Sequence, residues 1–236
     1  MRRRRSGQSH QNTIRNIRAV VLGKDGVGKS ALTVRFLTRR FIGEYDNTLE
    51  ATYRHHLIVD GQFISLDIMD TAGKNSVEKM STCLTFAELF FIVYSVTDRT
   101  SFDEARLLVK YIQNDKTAQT AAPTMIIVAN KCDLTHLRQV EEIEGQMLAR
   151  SMEGLFFPVS VSEGYSEIQE ILEESLRQCM NRERNKGSRM SRVKEGLRGT
   201  AKSLRRKSTG DAMMDPRPST LGQSTSRPSS YLSIAE

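Results

Sequence analysis

The segment Gly23-Lys24-Asp25-Gly26-Val27-Gly28-Lys29-Ser30 has the spacing G-x-x-x-x-G-K-[ST], with an apolar run before it and an amphipathic one after it. A strand that feeds a glycine-rich turn and then a helix N-terminus aims backbone N–H groups and the positive end of the helix dipole at one point. Such a point suits a polyphosphate. A lysine at this place reaches the β- and γ-phosphates, and the serine hydroxyl after it ligates Mg²⁺. The cradle is therefore read as Asp25, Gly26, Val27, Gly28, Lys29, Ser30 and Ala31, with Lys29 also acting on the reacting phosphates and Ser30 as a metal ligand. The plainer alternative is a surface turn that matches by chance.

Two further motifs follow. Asp70-Thr71-Ala72-Gly73 ends a β-rich run. It places an acid at a strand's carboxyl end, where it can serve a Mg²⁺ site, and a glycine that lets the backbone approach a phosphate. In Asn130-Lys131-Cys132-Asp133 a carboxylate can accept two N–H donors from a guanine edge while a lysine stem covers the ring. Adenine lacks that donor pair, so GTP is favoured over ATP. Each motif alone is short enough to recur as a plain turn.

The elements that must position these residues are legible as alternation. Residues 16–23 are a short apolar strand stopped by glycine, and Leu32, Phe36 and Leu37 mark a helix after Lys29. Residues 43–48 are polar turn formers and are expected to form a mobile loop. Residues 55–59 and 63–69 flank Asp60-Gly61, a hairpin dipeptide. Residues 89–96 lack alternation, as a strand buried on both faces would, and Thr100-Ser101 opens a helix through Phe102, Ala105, Leu108, Val109 and Ile112. Strand and helix then repeat twice: residues 125–128 with a helix over about 140–152, and residues 155–157 with a helix through Ile168, Ile171, Leu172, Leu176 and Met180. The expected fold is α/β, a doubly wound, mainly parallel six-stranded sheet. The loops after residues 22, 69, 129 and 159 then meet at the carboxyl edge, where such sheets bind ligands.

Composition bounds the rest. The 236 residues carry a net charge of +7, but residues 1–18 hold six arginines and no acid, and residues 181–236 hold thirteen Lys or Arg against five acids. The middle is acidic, at −7 over residues 19–180. We divide the chain into a disordered basic arm (1–15), a folded domain (16–182) and a basic Ser/Pro-containing disordered tail (183–236). No apolar run reaches membrane-span length, and no h-region follows Met1-Arg2-Arg3-Arg4-Arg5. Cys83, Cys132 and Cys179 lack metal-ligand spacing and suit a reducing compartment.

Taken in order, G-K-D-G-V-G-K-S, F-I-G-E-Y-D-N-T, D-T-A-G and N-K-C-D over about residues 16–182 resemble a Ras-superfamily small GTPase of the Ras branch. The resemblance implies a GTP/GDP switch with Mg²⁺ that acts as a monomer and binds no specific nucleic acid. It implies that Phe41 packs on the guanine, that Tyr45 lies at the nucleotide, that the Thr48 hydroxyl ligates Mg²⁺, and that Asp70 reaches Mg²⁺ through water. Gly73 resembles the glycine whose N–H senses the γ-phosphate, so loss of that phosphate would release both switch loops. Asn130, Lys131 and Asp133 take the guanine, with Ser160-Val161-Ser162 where the family has S-A-K; the lysine is missing. Effectors and regulators would meet residues 43–53 and 73–87, although Ala51 stands where Ras effector loops have aspartate.

Two departures bear on catalysis. Lys74 replaces the glutamine that orients the attacking water, and Asp25 replaces the branch's usual glycine. Both oppose hydrolysis, and the two side chains could pair across the γ-phosphate site. The expectation is a slow GTPase; the alternative is a hydrolysis-impaired GTP-binding interaction protein held mostly in the GTP state. An ATP-using phosphotransferase is a distant third.

The tail ends Leu232-Ser233-Ile234-Ala235-Glu236 with no C-a-a-X cysteine, so no prenyl anchor is expected. In this it resembles the unlipidated subgroup named for the Ras-related, estrogen-regulated growth inhibitor. Met190, Val193, Leu197, Ala201 and Leu204 fall at helical spacing among basic residues, so residues 189–207 suit an anionic membrane or a calmodulin groove, or simply bind diffusely. Arg205-Arg206-Lys207-Ser208 resembles a basophilic kinase site. The expected location is the cytoplasm, with the nucleus and the membrane periphery as alternatives.

Overall fold

The computed structural model describes residues 14–38, 40, 51–71, 76–115 and 123–182. In chain order the elements are β1 (Arg15–Leu22), α1 (Lys29–Thr38), β2 (Ala51–Val59), β3 (Gln62–Asp70), α2 (Val77–Phe86), β4 (Leu89–Ser95), α3 (Arg99–Asn114), β5 (Thr124–Asn130), α4 (Glu142–Ser151), β6 (Leu155–Pro158) and a last helix α5 (165–182). The six strands form one sheet in the order β2-β3-β1-β4-β5-β6. Every pairing is parallel except β2 with β3. This is the doubly wound sheet that the alternation of strands and helices requires.

Side-chain alternation along the central strands explains why their sequences read as continuous apolar runs. Leu89, Phe91 and Val93 of β4 join Ile17, Ala19 and Val21 of β1 in one core layer with α1 and α5. Phe90, Ile92 and Tyr94 join Val20 and Leu22 in the other layer, against α2, α3 and α4. Phe36 of α1 meets Phe91 with ring centroids 5.2 Å apart, and Phe102 of α3 meets Tyr94 edge-on at 4.9 Å. Each such fully buried aromatic contributes on the order of 1.5–3 kcal/mol by leaving water.

The hairpin turn falls on Asp60-Gly61, both at positive φ (49° and 77°), the two-residue form that suits twisted strands. Arg177 of α5 clamps it by donating from Nε to Asp60 Oδ2 at 2.9 Å and from Nη2 to Oδ1 at 3.2 Å.

The clearest differences from the sequence reading are two boundaries and one additional helix. β2 begins at Ala51 rather than residue 55, because Ala51 through Arg54 stay in antiparallel register with Asp70 through Asp67. That pairing is a backbone property, which the mostly exposed side chains there do not advertise. α3 is capped by Asp98, whose Oδ1 accepts from Thr100 N at 3.0 Å and Ser101 N at 3.3 Å, so the helix opens before Thr100-Ser101. α2 was not anticipated; its start is marked by Ser76, whose hydroxyl accepts from Lys79 N. The expected loop 43–48 lies outside the described residues, as do residues 1–13 and 183–236. No helix among the described residues is long and apolar enough to cross a membrane.

Candidate functional site

Strands β1, β3, β4, β5 and β6 end at a common edge: Val21 pairs with Asp70, Leu22 with Ile92, Ser95 with Asn130, and Ala129 with Pro158. The loops that leave this edge hold the motif residues.

The first loop turns on glycines. At Gly23 (φ 145°) a Cβ would overlap the carbonyl of Val93 on β4, so the chain passes closer to the sheet than any other residue allows. Gly28 (φ 100°) lies against the Asn130 side chain in the same way. α1 starts at once at Lys29, with no acid in its first turn to offset its positive end. The Val27 and Ala31 side chains are buried in the core, so these residues can offer the site only backbone groups.

Lys29 is 6% exposed. Its Nζ donates to Gly23 O at 3.0 Å, Lys24 O at 3.1 Å and Asp25 Oδ1 at 3.4 Å. Burial pulls its pKa down, and the Asp25 carboxylate is the main opposing influence. Lys24 points elsewhere: its Nζ donates to Asp98 Oδ2 at 2.8 Å and also to the Thr100 hydroxyl. That ion pair and its hydrogen bonds hold the Asp98 carboxyl down at about 2.

Asp70 closes β3 behind this loop, with the neighbouring Thr71 hydroxyl donating to Val21 O at 2.6 Å. Burial raises the Asp70 pKa, opposed by the Ser30 hydroxyl and the Lys29 charge. Its Oδ1 is buried and has no hydrogen-bond partner among the described residues. A buried carboxylate oxygen without a donor costs free energy. Beside the Ser30 hydroxyl it makes an all-oxygen donor set, the kind a hard divalent cation takes.

Asn130, 3% exposed, joins three loops with one amide. Its Nδ2 donates to Val27 O at 2.7 Å, and its Oδ1 accepts from Lys131 N at 2.8 Å and Val161 N at 3.0 Å. Lys131 adopts φ 65° and extends its amine back to Gly26 O at 2.8 Å, which lays its aliphatic stem across the edge. Asp133 stands exposed at the rim. In the last loop Ser160 is buried, Val161 lines the core, and the Ser160 and Ser162 hydroxyls share a hydrogen bond at 2.8 Å. Arg35, buried on α1, donates from its guanidinium to the Glu163 carbonyl just beyond.

Asp25, Gly26, Val27, Gly28, Lys29, Ser30, Ala31, Asp70, Asn130, Lys131, Asp133, Ser160 and Val161 thus share one edge of the sheet. Phe41, Tyr45, Thr48, Gly73 and Lys74 lie outside the described residues, and with them the pairing of Asp25 with Lys74. Among described residues Asp25 pairs with Lys29. Sequence reasoning missed Lys24, Arg35 and Asp98. The last carries a signal, an acid two residues before Thr100 in a D-x-[ST] cap; the other two act through contacts distant in sequence and carry none.

The sequence profile of the Ras family matches residues 18–181. The human Ras-related and estrogen-regulated growth inhibitor is 42% identical over 166 residues, covering 70% of this chain and 82% of its own. Human Ras-like protein family member 12 is 38% identical over 176 residues, 74% of this chain and 66% of its own. Ras-like protein 1 of Saccharomyces cerevisiae is 40% identical over 157 residues, 66% of this chain and 50% of its own.

Proposed function

This chain belongs to the Ras family, and from that premise we propose a regulatory switch that binds GTP and GDP with Mg²⁺ and hydrolyses GTP slowly in intracellular signalling. The observation that carries the reading is the Asn130 amide, which ties the phosphate loop to both loops expected at the guanine. One rigid unit then spans base and phosphates.

In this reading Gly26 and Gly28 open the cradle and Lys29 binds the β- and γ-phosphates. The Asp133 carboxylate accepts from the guanine edge, the Lys131 stem covers one ring face, and the Val161 and Ser160 segment closes the base. By resemblance Phe41 and Tyr45 complete the nucleotide contacts and Gly73 reports the γ-phosphate. Ser30, Asp70 and, by resemblance, Thr48 would hold Mg²⁺, whose charge offsets that of the phosphates. The Asp70 Oδ1, without a hydrogen-bond partner among the described residues, fits that cation.

Slow hydrolysis follows from two side chains. The Lys74 ammonium has donors and no acceptor, so it cannot orient a water as glutamine does. Asp25 is 49% exposed at the mouth of the phosphate loop, where it crowds both water and an incoming arginine. The same observation favours the second reading, an interaction protein that holds GTP and does not cycle.

Identifying the nucleotide on freshly purified protein and timing single-turnover hydrolysis tests both. GDP with measurable turnover supports the switch, and retained GTP supports the second reading. A rate near the ordinary intrinsic value, on the order of 10⁻⁴ s⁻¹, removes the argument from Asp25 and Lys74. We further propose a cytoplasmic protein whose residues 189–207 contact anionic membrane. Liposome sedimentation with and without residues 183–236 checks this: equal binding defeats it, and competition by calmodulin would redirect it.

A further inference from the structure

We infer that Asp25 is a resident anion that competes with the nucleotide's outer phosphates for the Lys29 amine, weakening nucleotide binding and weakening it more for GTP than for GDP. The inference rests on the guanine-nucleotide reading above and concerns affinity rather than hydrolysis.

An ammonium has three N–H donors, and in Lys29 all three are engaged within the chain: by Gly23 O at 3.0 Å, Lys24 O at 3.1 Å and Asp25 Oδ1 at 3.4 Å. The two carbonyls belong to the loop backbone and hold the amine from the cradle itself. The third acceptor is different. It sits at the end of a half-exposed side chain, its contact is the longest, and it can leave without moving the loop. The donor that a phosphate oxygen would take is therefore the one that Asp25 holds.

Displacement has a cost because, among the described residues, the ion pair that Asp25 makes is the one with Lys29 that it would lose. Lys24, the adjacent cation, is committed to Asp98 and Thr100. Once a phosphate takes the Lys29 amine, the Asp25 carboxylate is left within a few ångströms of that phosphate, with like charge. Two unit charges at such a separation repel strongly at the effective dielectric of a protein surface, and exposure screens part of it. The remaining penalty is on the order of tenfold in affinity. GTP brings one more phosphate, and more negative charge, to the same place than GDP does. The penalty therefore falls more heavily on the triphosphate.

The test is equilibrium titration of nucleotide-free full-length chain with GDP, a non-hydrolysable GTP analogue and GMP at fixed excess Mg²⁺, for wild type, Asp25→Asn, Asp25→Ser and Asp25→Glu. We expect the neutral variants to bind the GTP analogue about tenfold more tightly, GDP more tightly by a smaller factor, and GMP unchanged, because GMP lacks the outer phosphates. Asp25→Glu keeps the charge and should stay close to wild type. The inference is overturned if all four proteins bind GDP and the analogue within twofold of one another, or if GMP tightens as much as GDP. If none of the four binds any guanine nucleotide, the functional reading falls and takes the inference with it.

Discussion

Asn130→Ala probes the joint on which the site depends. The wild-type amide makes three hydrogen bonds from a buried position: Nδ2 to Val27 O, and Oδ1 from Lys131 N and Val161 N. Each such bond is worth about 0.5–1.5 kcal/mol net, and a group left buried without a partner costs about 1–3 kcal/mol. Alanine leaves one carbonyl and two N–H groups unpaired, and the polar gap it opens admits water that recovers part of the loss. The net expectation is a destabilisation of about 2–3 kcal/mol, read as a lowered midpoint in urea at constant slope. Asn130→Asp sharpens the test. Its carboxylate still accepts from Lys131 N and Val161 N but faces the Val27 carbonyl with no donor. Amide hydrogen exchange should therefore quicken at residues 24–28 and around 161 in the alanine variant, and at residues 24–28 alone in the aspartate variant. GDP affinity should fall at least thirtyfold in the alanine variant, the equivalent of about 2 kcal/mol. If the alanine variant unfolds within about 0.5 kcal/mol of wild type and exchange at Val161 does not change, the idea of one amide fastening three loops is wrong.

Three further predictions come from other parts of the same edge. Asp98 titrates at about 2 against an ordinary 3.8, so its pairing with Lys24 stabilises the native state above about pH 4 and that stabilisation is lost as the pH falls toward 2. Since the side chain is one-third exposed, Asp98→Asn should cost only about 1 kcal/mol at pH 7, and its denaturation curve should converge with wild type in acid; a constant gap would contradict the pairing. Arg35→Ala removes the guanidinium that holds the Glu163 carbonyl and should speed GDP release severalfold in a fluorescent-nucleotide chase while leaving the association rate near wild type. The Tyr94 hydroxyl is buried with no hydrogen-bond partner among the described residues, so Tyr94→Phe, which keeps the ring packed on Phe102, should leave stability unchanged or raise it by up to about 1 kcal/mol in thermal melts; a loss beyond that would mean the hydroxyl has a partner after all.

What was legible in the sequence depended on whether the deciding physics was local. Gly23 through Ser30 announce a strand, turn and helix because φ at Gly23, Gly26 and Gly28 is a property of single residues. Asp60-Gly61 announces its hairpin for the same reason. The central strands were readable because burial on both faces leaves 89–96 almost wholly apolar, with Ser95 at the carboxyl end. β2 was half-missed because its first four residues are held by backbone pairing to β3, while their exposed side chains follow no pattern. In the site, the motifs named the residues but not their partners. Lys24 belongs to the phosphate-loop pattern, yet it reaches Asp98, 74 residues away. Arg35 sits in an ordinary helical stripe and contacts Glu163 128 residues on. Such contacts exist only once the sheet order has been set.

The electrostatics of the edge follow from that geometry. Lys29 and Asp70 are both buried, and burial moves each toward its neutral form, lowering the lysine pKa and raising that of the aspartate. Their residual charges oppose that drift but do not remove the cost of holding both ions out of water. Lys29 has found a counter-ion in Asp25, whereas the Asp70 Oδ1 has no donor among the described residues. On the proposed reading a polyphosphate with its cation would supply an anion to replace Asp25 at the amine and a cation for the carboxylate. The same binding event would displace Asp25, because the amine has no fourth donor to give. On that reading the site would favour the nucleotide as a cation–anion pair, and the exposed Asp25 side chain in the phosphate loop would set how strongly.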